Sequence, residues 1–264
     1  MYPLARPSVS DLRRTLTALH PAPGSRQPLG VSDIDAVLSG GLLLGALHEL
    51  CPARSLDLGA ASGFAAVLAT RGHNGGPSDG RQMLWLQQDF AGMEGGGIYG
   101  AVDDFGLPLT SLLLVQVPRV IDVLWAMEEA LKCRAVAAVV AEIAEDGSVD
   151  LTATRRLSLA AREGGGLGLL LRHRPAATAK SFSTLSAAAT RWDIAAAASE
   201  RDAFGGLGRT TFALSLVRNR CGPCGRWITS WDHHERAFVS PTLSRGVAQP
   251  ARDRSARALS VRAA

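Results

Sequence analysis

Leu112-Leu-Leu-Val-Gln-Val117, closed by Pro118, and Ala137-Ala-Val-Val-Ala-Glu142 decide the class of fold between them. Each is a nearly unbroken apolar run without the alternation of a strand that has one wet face. Both therefore read as strands apolar on both sides. Between them Leu124, Met127, Glu128 and Leu131 fall on adjacent turns of a helix over 121–132. Strand, helix and strand in that order make a parallel crossover. Outward from this unit the same texture continues, with strands over 47–51, 83–87 and 167–171 and helices over 60–69 and 152–162. The expected fold is α/β, a mostly parallel central sheet flanked by helices on both faces.

The flanks read differently. Val9, Leu12, Leu16 and Leu19 recur at helical spacing behind a potential N-cap at Ser10, and Pro21, Pro23, Gly24 and Pro28 then make a linker. Residues 1–28 are thus expected to be a helix and linker. Asp33, Ile34, Val37 and Leu38 fit a turn and a half of helix, stopped by Gly40-Gly41. A glycine-rich loop is expected after 87, through Gly100. Beyond Pro175, residues around Trp192 and Ile194, then 212–217 and 227–231, read as shorter, antiparallel edge strands with a tight turn at 220–225. Residues 241–264 are rich in Arg, Ala and Ser without apolar period and are expected to form a disordered tail. One domain over 29–240 remains, with no internal repeat.

Composition narrows the class. The chain of 264 residues is 47% hydrophobic and 20% charged, enough for a real core. No apolar run approaches the roughly 18–20 residues of a membrane span, and the proline-broken start lacks a signal-peptide core. The 4 cysteines make no disulfide framework, which fits a reducing cytoplasm. The net charge of +4 is unevenly placed: 29–150 carries 6 basic and 16 acidic residues, 151–240 carries 13 and 6, and 241–264 carries 5 and 1. Lys132 and Lys180 are the only lysines. An arginine-rich back half fits nucleic-acid contact, and it fits GC-rich coding equally.

Gly30-Val-Ser-Asp-Ile-Asp-Ala-Val-Leu38 followed by Gly40-Gly-Leu-Leu-Leu-Gly45-Ala-Leu-His-Glu49 resembles the entry to a RecA-type ATPase core. Leu84-Trp-Leu-Gln-Gln-Asp89 and the two strands quoted first follow in the same order. More narrowly, the chain resembles the ImuA family, RecA-like proteins of the bacterial inducible-mutagenesis cassette. Five stretches carry this resemblance: Leu-Gly-Ala-Leu-His-Glu49, Trp125-Ala-Met-Glu-Glu-Ala-Leu131, Asp150-Leu-Thr-Ala-Thr-Arg-Arg156, Ala189-Thr-Arg-Trp192 and Leu216-Val-Arg-Asn-Arg220. Together they span roughly residues 30–232.

A P-loop wraps phosphates with glycine backbone N–H groups, sets a lysine on the terminal phosphates and a Ser/Thr hydroxyl on magnesium. The corresponding stretch is Pro52-Ala-Arg-Ser-Leu-Asp-Leu-Gly59-Ala-Ala-Ser62-Gly63-Phe64. Gly59 and Gly63 bend the chain and Ser62 offers a hydroxyl, but the nearest lysine is Lys132. Arg54 precedes the turn and cannot take the helix-start position. By the resemblance, Asp89 falls where the RecA family keeps its water-activating carboxylate and Glu142 near its magnesium-organising one. Without the lysine, both read as acids capping strand ends at the surface. The sequence predicts neither ATP turnover nor a bound cofactor.

Three other motifs invite chemistry. Cys221-Gly-Pro-Cys224 spells a thioredoxin-like redox motif, which requires a helix N-terminus, yet it lies between two strand-like runs and reads as a hairpin turn. Adding His233 and His234 offers zinc ligands without the usual spacing. Gly95-Gly-Gly97-Ile-Tyr-Gly100 matches G-x-G-x-x-G formally, but does not directly follow a strand. Trp192, Trp227 and Trp231 interleave with arginines as a stacking platform for a single strand would; packing of edge strands is the favoured reading. The candidate DNA or partner surface is Arg155, Arg156, Arg191, Arg218, Arg220 and Arg226.

The ImuA resemblance implies a non-catalytic adaptor in SOS-induced translesion synthesis. Its implied partners are an ImuB-like Y-family polymerase homologue, an error-prone DNA polymerase III alpha-type subunit, RecA and the sliding clamp. The alternatives are a residual DNA-stimulated ATPase using Asp89 and Glu142, or a cell-division inhibitor resembling SulA.

Overall fold

The computed structural model describes residues 25–72, 80–98, 100–144, 149–173, 185–199, 201, 206 and 208–240. The helix expected around Val9 to Leu19 and the tail over 241–264 lie outside them. Among the described residues no helix is long and apolar enough to cross a membrane.

The chain enters through β1 (Arg26–Gln27), which pairs antiparallel with β2 (Leu42–Leu43) around the short helix α1 (Ser32–Val37). Gly41 makes this entry possible: a Cβ there would lie 2.3 Å from the Gln27 carbonyl oxygen. Then follow β3 (Leu47–Pro52), α2 (Leu58–Gly72), β4 (Gln82–Gln88), α3 (Asp89–Gly95), β5 (Leu112–Val117), α4 (Val120–Lys132), β6 (Val136–Ala144), α5 (Leu151–Gly164) and β7 (Leu167–His173). The last four strands are β8 (Thr190–Ala196), β9 (Thr210–Asn219), β10 (Gly225–Asp232) and β11 (Ala237–Val239).

Among the described residues nine strands form one sheet in the order β11-β10-β9-β8-β3-β7-β6-β4-β5. From β8 to β5 every neighbour is parallel, and β9, β10 and β11 add antiparallel beyond β8. Helix α2 is apolar nearly all round, so it is buried on one face, with Phe64 and Leu68 against Trp192, Phe212 and Leu171. Helices α4 and α5 are amphipathic and cover the other face, where Val123, Met127 and Leu157 meet Val139 and Leu170. Helix α5 starts where the Asp150 carboxylate accepts the Ala153 N–H at 2.7 Å, and stops at left-handed Gly165.

The expected α/β architecture with a mostly parallel sheet is present, with four local corrections. The run Leu112–Val117 is not covered on both faces: it is the sheet edge, with Leu113 53% and Leu114 44% exposed. A continuous apolar run has the same appearance in a central strand and in an unprotected edge. The loop expected after residue 87 contains α3 and a 3-10 helix over Gly100–Phe105, because Phe90, Ala91, Met93 and Glu94 sustain a helical turn. The strand around Trp192 is parallel to β3 and internal to the sheet. Finally, β9 and β10 run 10 and 8 residues, longer than their apolar cores suggested.

Candidate functional site

The turn from β3 into α2 is the place for a phosphate grip. After Pro52, a 3-10 turn over Ser55–Asp57 leads straight into α2 at Leu58. The side chain at the mouth of the helix is therefore a carboxylate. Asp57 is 1% exposed and accepts four hydrogen bonds, from the Arg54 backbone N–H (3.1 Å), Arg54 Nε (2.8 Å), the second Arg54 guanidinium nitrogen (3.0 Å) and the Ala196 N–H (3.1 Å). The bidentate Arg54 bond holds the Asp57 carboxyl below its usual range, and burial opposes that only in part. Arg54 is thus engaged by Asp57, and the helix opening already carries a negative charge where a phosphate would sit.

Beyond this turn lies a cavity of about 210 Å³ between the start of α2, the glycines after α3 and the 3-10 helix. Gly59, Ser62 and Gly63 line it, together with Ile98, Phe105 and Glu142. Phe105 presses on α2 so closely that a Cβ on Gly63 would meet its ring at 2.8 Å. The Gly95-to-Gly97 stretch ends α3 and lines the same cavity, so it does not open a helix as a dinucleotide motif does.

The two acids expected near the catalytic positions lie beside each other's strands, Glu142 opposite Gln87 in the register, but in different settings. Asp89 stands exposed at the start of α3. Glu142 is 2% exposed, which corrects the expectation of a surface acid. One of its carboxylate oxygens accepts from Trp85 Nε1 (3.0 Å) and Gln87 Nε2 (3.1 Å), and the other faces His173 Nε2 at 2.8 Å. With its lone pairs engaged by three side chains, Glu142 is fixed as part of the sheet.

The six arginines separate into different groups. Arg191 is nearly buried: its Nε binds Glu49 Oε2 at 2.5 Å, and Arg172 reaches Glu49 Oε1 at 3.4 Å. Its place in a surface is therefore corrected; the guanidinium neutralises a carboxylate inside the sheet. Arg218 lies opposite Arg191 in the β8–β9 register, and burial together with Arg220 and Arg191 lowers its pKa from the usual arginine range. Arg220 is exposed and donates to the Ser186 carbonyl at 3.1 Å, and Arg226 projects from β10. Arg155 and Arg156 lie on α5, and Arg156 pairs with Glu128 at 2.6 Å. Trp192 and Trp231 are buried in the core, so they stack on protein rather than on bases.

Cys221 and Cys224 are exposed thiols in the β9–β10 hairpin turn, where Asn219 accepts the Cys221 N–H and donates to the Pro223 carbonyl. His233 and His234 lie at the opposite end of β10, so the strand itself keeps the four side chains from one metal. The buried Cys51 thiol is pushed up to about 12 by burial and by Glu49, which leaves it unreactive.

Sequence reasoning missed the buried polar centre at His48, Glu49, Arg172 and Arg191. The signal was present as two polar residues inside the apolar strand Leu47–Pro52.

No family model matches the chain. Among solved structures it is similar to the RadB recombinase, with a TM-score of 0.53 and 12% identity, over 81% of this chain and all but 1% of that one. At that identity the likeness shows the fold alone, which is RecA-like. Protein ImuA of Caulobacter vibrioides strain NA1000 / CB15N is 35% identical over 217 residues, covering 78% of this chain and 85% of the relative. Protein ImuA of strain ATCC 19089 / CIP 103742 / CB 15 matches to the same extent. With a RecA-like sheet, a phosphate turn closed by its own carboxylate and this identity over most of both lengths, the chain belongs to the ImuA family.

Proposed function

We propose that this protein is a non-catalytic adaptor of damage-induced, error-prone DNA synthesis, acting in the cytoplasm by holding other proteins. The observation that carries the reading is Asp57 at the mouth of α2, with Arg54 clamped to it. A triphosphate brought to that turn meets a buried anion and no lysine, in a part of the chain with 16 acidic against 6 basic residues. The proteins held are an ImuB-like Y-family polymerase homologue and, through it, an error-prone polymerase III alpha-type subunit and the sliding clamp, with RecA as a further partner. Contact with DNA in such an assembly would fall to Arg218, Arg220 and Arg226, whose side chains lie on or beside the β9–β10 hairpin.

Isothermal titration with magnesium-ATP tests the reading directly. No binding heat is expected, and phosphate release in the presence of single-stranded DNA should stay at background. Micromolar magnesium-ATP binding would overturn it.

A further inference from the structure

The loop that joins β9 to β10 carries two exposed thiols, Cys221 and Cys224, with only Gly222 and Pro223 between them. Of the 4 cysteines these two alone share a loop: Cys51 is buried in β3, and Cys133 stands exposed at the end of α4. The fold suits neither thioredoxin chemistry nor a four-ligand zinc site here. No helix begins at Cys221, and His233 and His234 lie at the far end of β10. What the fold does provide is a loop already drawn closed. Asn219 commits its whole amide to it: Oδ1 accepts the Cys221 N–H at 3.1 Å, and Nδ2 donates to the Pro223 carbonyl at 3.0 Å and to the Val37 carbonyl at the end of α1 at 3.2 Å.

The bonds to the Cys221 N–H and the Pro223 carbonyl lie on either side of Gly-Pro, so one side-chain amide draws together the two backbone stretches that bear the thiols. Gly222 permits a close pass against α1: a Cβ on it would lie 2.8 Å from the Val37 carbonyl oxygen. Pro223 has its φ fixed by its own ring, and the paired residues Leu216 and Gly225 hold the base of the loop. Much of the ordering that ring closure requires is therefore supplied by noncovalent contacts before any bond forms between the sulfurs. We propose that Cys221 and Cys224 are a dithiol that closes reversibly to a disulfide by exchange with a small-molecule disulfide such as oxidised glutathione.

In the first step one protein thiolate attacks a sulfur of the small disulfide, forming a mixed disulfide and expelling one small thiolate. The second protein thiolate then attacks the protein sulfur of that mixed bond and expels the other. The protein gives up two protons and two electrons, the small disulfide takes up both and leaves as two thiols, and the reverse exchange reopens the loop. Arg220 precedes the ring and Arg226 follows it, so closure falls between two of the arginines proposed to meet DNA. The exchange itself is independent of that contact.

The test equilibrates the full chain with mixtures of reduced and oxidised glutathione, quenches with acid, alkylates and digests with trypsin, which releases both cysteines in the one peptide Cys221–Arg226. That peptide is expected unalkylated and without its two thiol hydrogens, while the exposed Cys133 stays alkylatable or carries one glutathione. Because the fold pre-arranges the loop, the protein should stay oxidised in a mixture about tenfold more reducing than the one that opens the same disulfide in synthetic Cys-Gly-Pro-Cys-Gly-Arg. Asn219→Ala should remove that advantage, and Cys224→Ser should leave Cys221 behaving as Cys133 does. The inference is overturned if protein and peptide close equally, if each thiol is capped separately by glutathione, or if the disulfides formed join two copies of the chain. The comparison of protein with peptide needs no variant, so it decides even where Asn219→Ala fails to fold.

Discussion

At His48 the hydrogen-bond directions are fixed by the partners. Nε2 lies 2.9 Å from the Leu43 carbonyl, which can only accept, so Nε2 carries the proton. Nδ1 then accepts from the Thr190 hydroxyl at 2.7 Å, and that hydroxyl in turn accepts from Trp192 Nε1 at 2.9 Å. A second proton on the ring would break this chain and charge a buried group. Burial, with a smaller contribution from the Arg26 charge, accordingly lowers the pKa of His48 to about 4, while the Leu43 bond opposes the shift. Because the folded pKa lies below the unfolded one, the unfolded chain binds more protons in between. Stability is therefore full above about pH 6.5 and is lost as the pH falls toward about 4, by up to about 3 kcal/mol from this residue. Urea unfolding from pH 7 to 4 should show that slope, and His48→Gln should flatten it; a slope unchanged in the variant would refute the assignment.

The least protected element is β5. Among the described residues it pairs with β4 on one side only, and Leu112–Val117 contains no charge, no bulge and no proline within the strand to guard its free backbone groups. Leu113→Lys should therefore leave stability within about 0.5 kcal/mol, since the side chain is half exposed, and should lower self-association at high concentration. Light scattering beside a melting curve decides it; a loss above about 2 kcal/mol would mean that the leucine is packed after all. The element scale also shows what was legible in advance. Periodicity found β3, β4, β5, β6 and β7 and the three long helices, because burial imposes apolar runs at strand and helix spacing. It could not order the strands, because a run such as Leu112–Val117 records apolarity and not neighbours. In the site, the absence of a lysine before α2 was plain from the residues. The burial of Glu142 and Arg191 was not, because a charged residue looks the same in sequence whether it meets water or a partner from a distant strand.

For the molecule as a whole, the acidic front half and basic back half are interleaved by the topology. Strand β3 from the front lies between β7 and β8 from the back, and front acids meet back cations at Glu49 with Arg172 and Arg191, at Glu128 with Arg156 and at Asp103 with Arg236. Part of the charge asymmetry along the chain is thus satisfied internally. Glu49 is the centre of this arrangement: fully buried, it also accepts the Ser186 hydroxyl at 2.8 Å, so one carboxylate joins three adjacent parallel strands and the segment that leads into β8. Removing it leaves two guanidiniums without the carboxylate they share, and breaking a buried pair from one side costs about 3–5 kcal/mol. A domain has only about 5–15 kcal/mol in hand, so Glu49→Ala should take a large fraction of the total and move the urea midpoint accordingly. Arg191→Ala should cost less, because Arg172 still faces the carboxylate. Equal losses in the two variants, or a change below about 1 kcal/mol for Glu49→Ala, would show that the strands are held by their apolar faces alone and that the charges in β3, β7 and β8 are incidental to the fold.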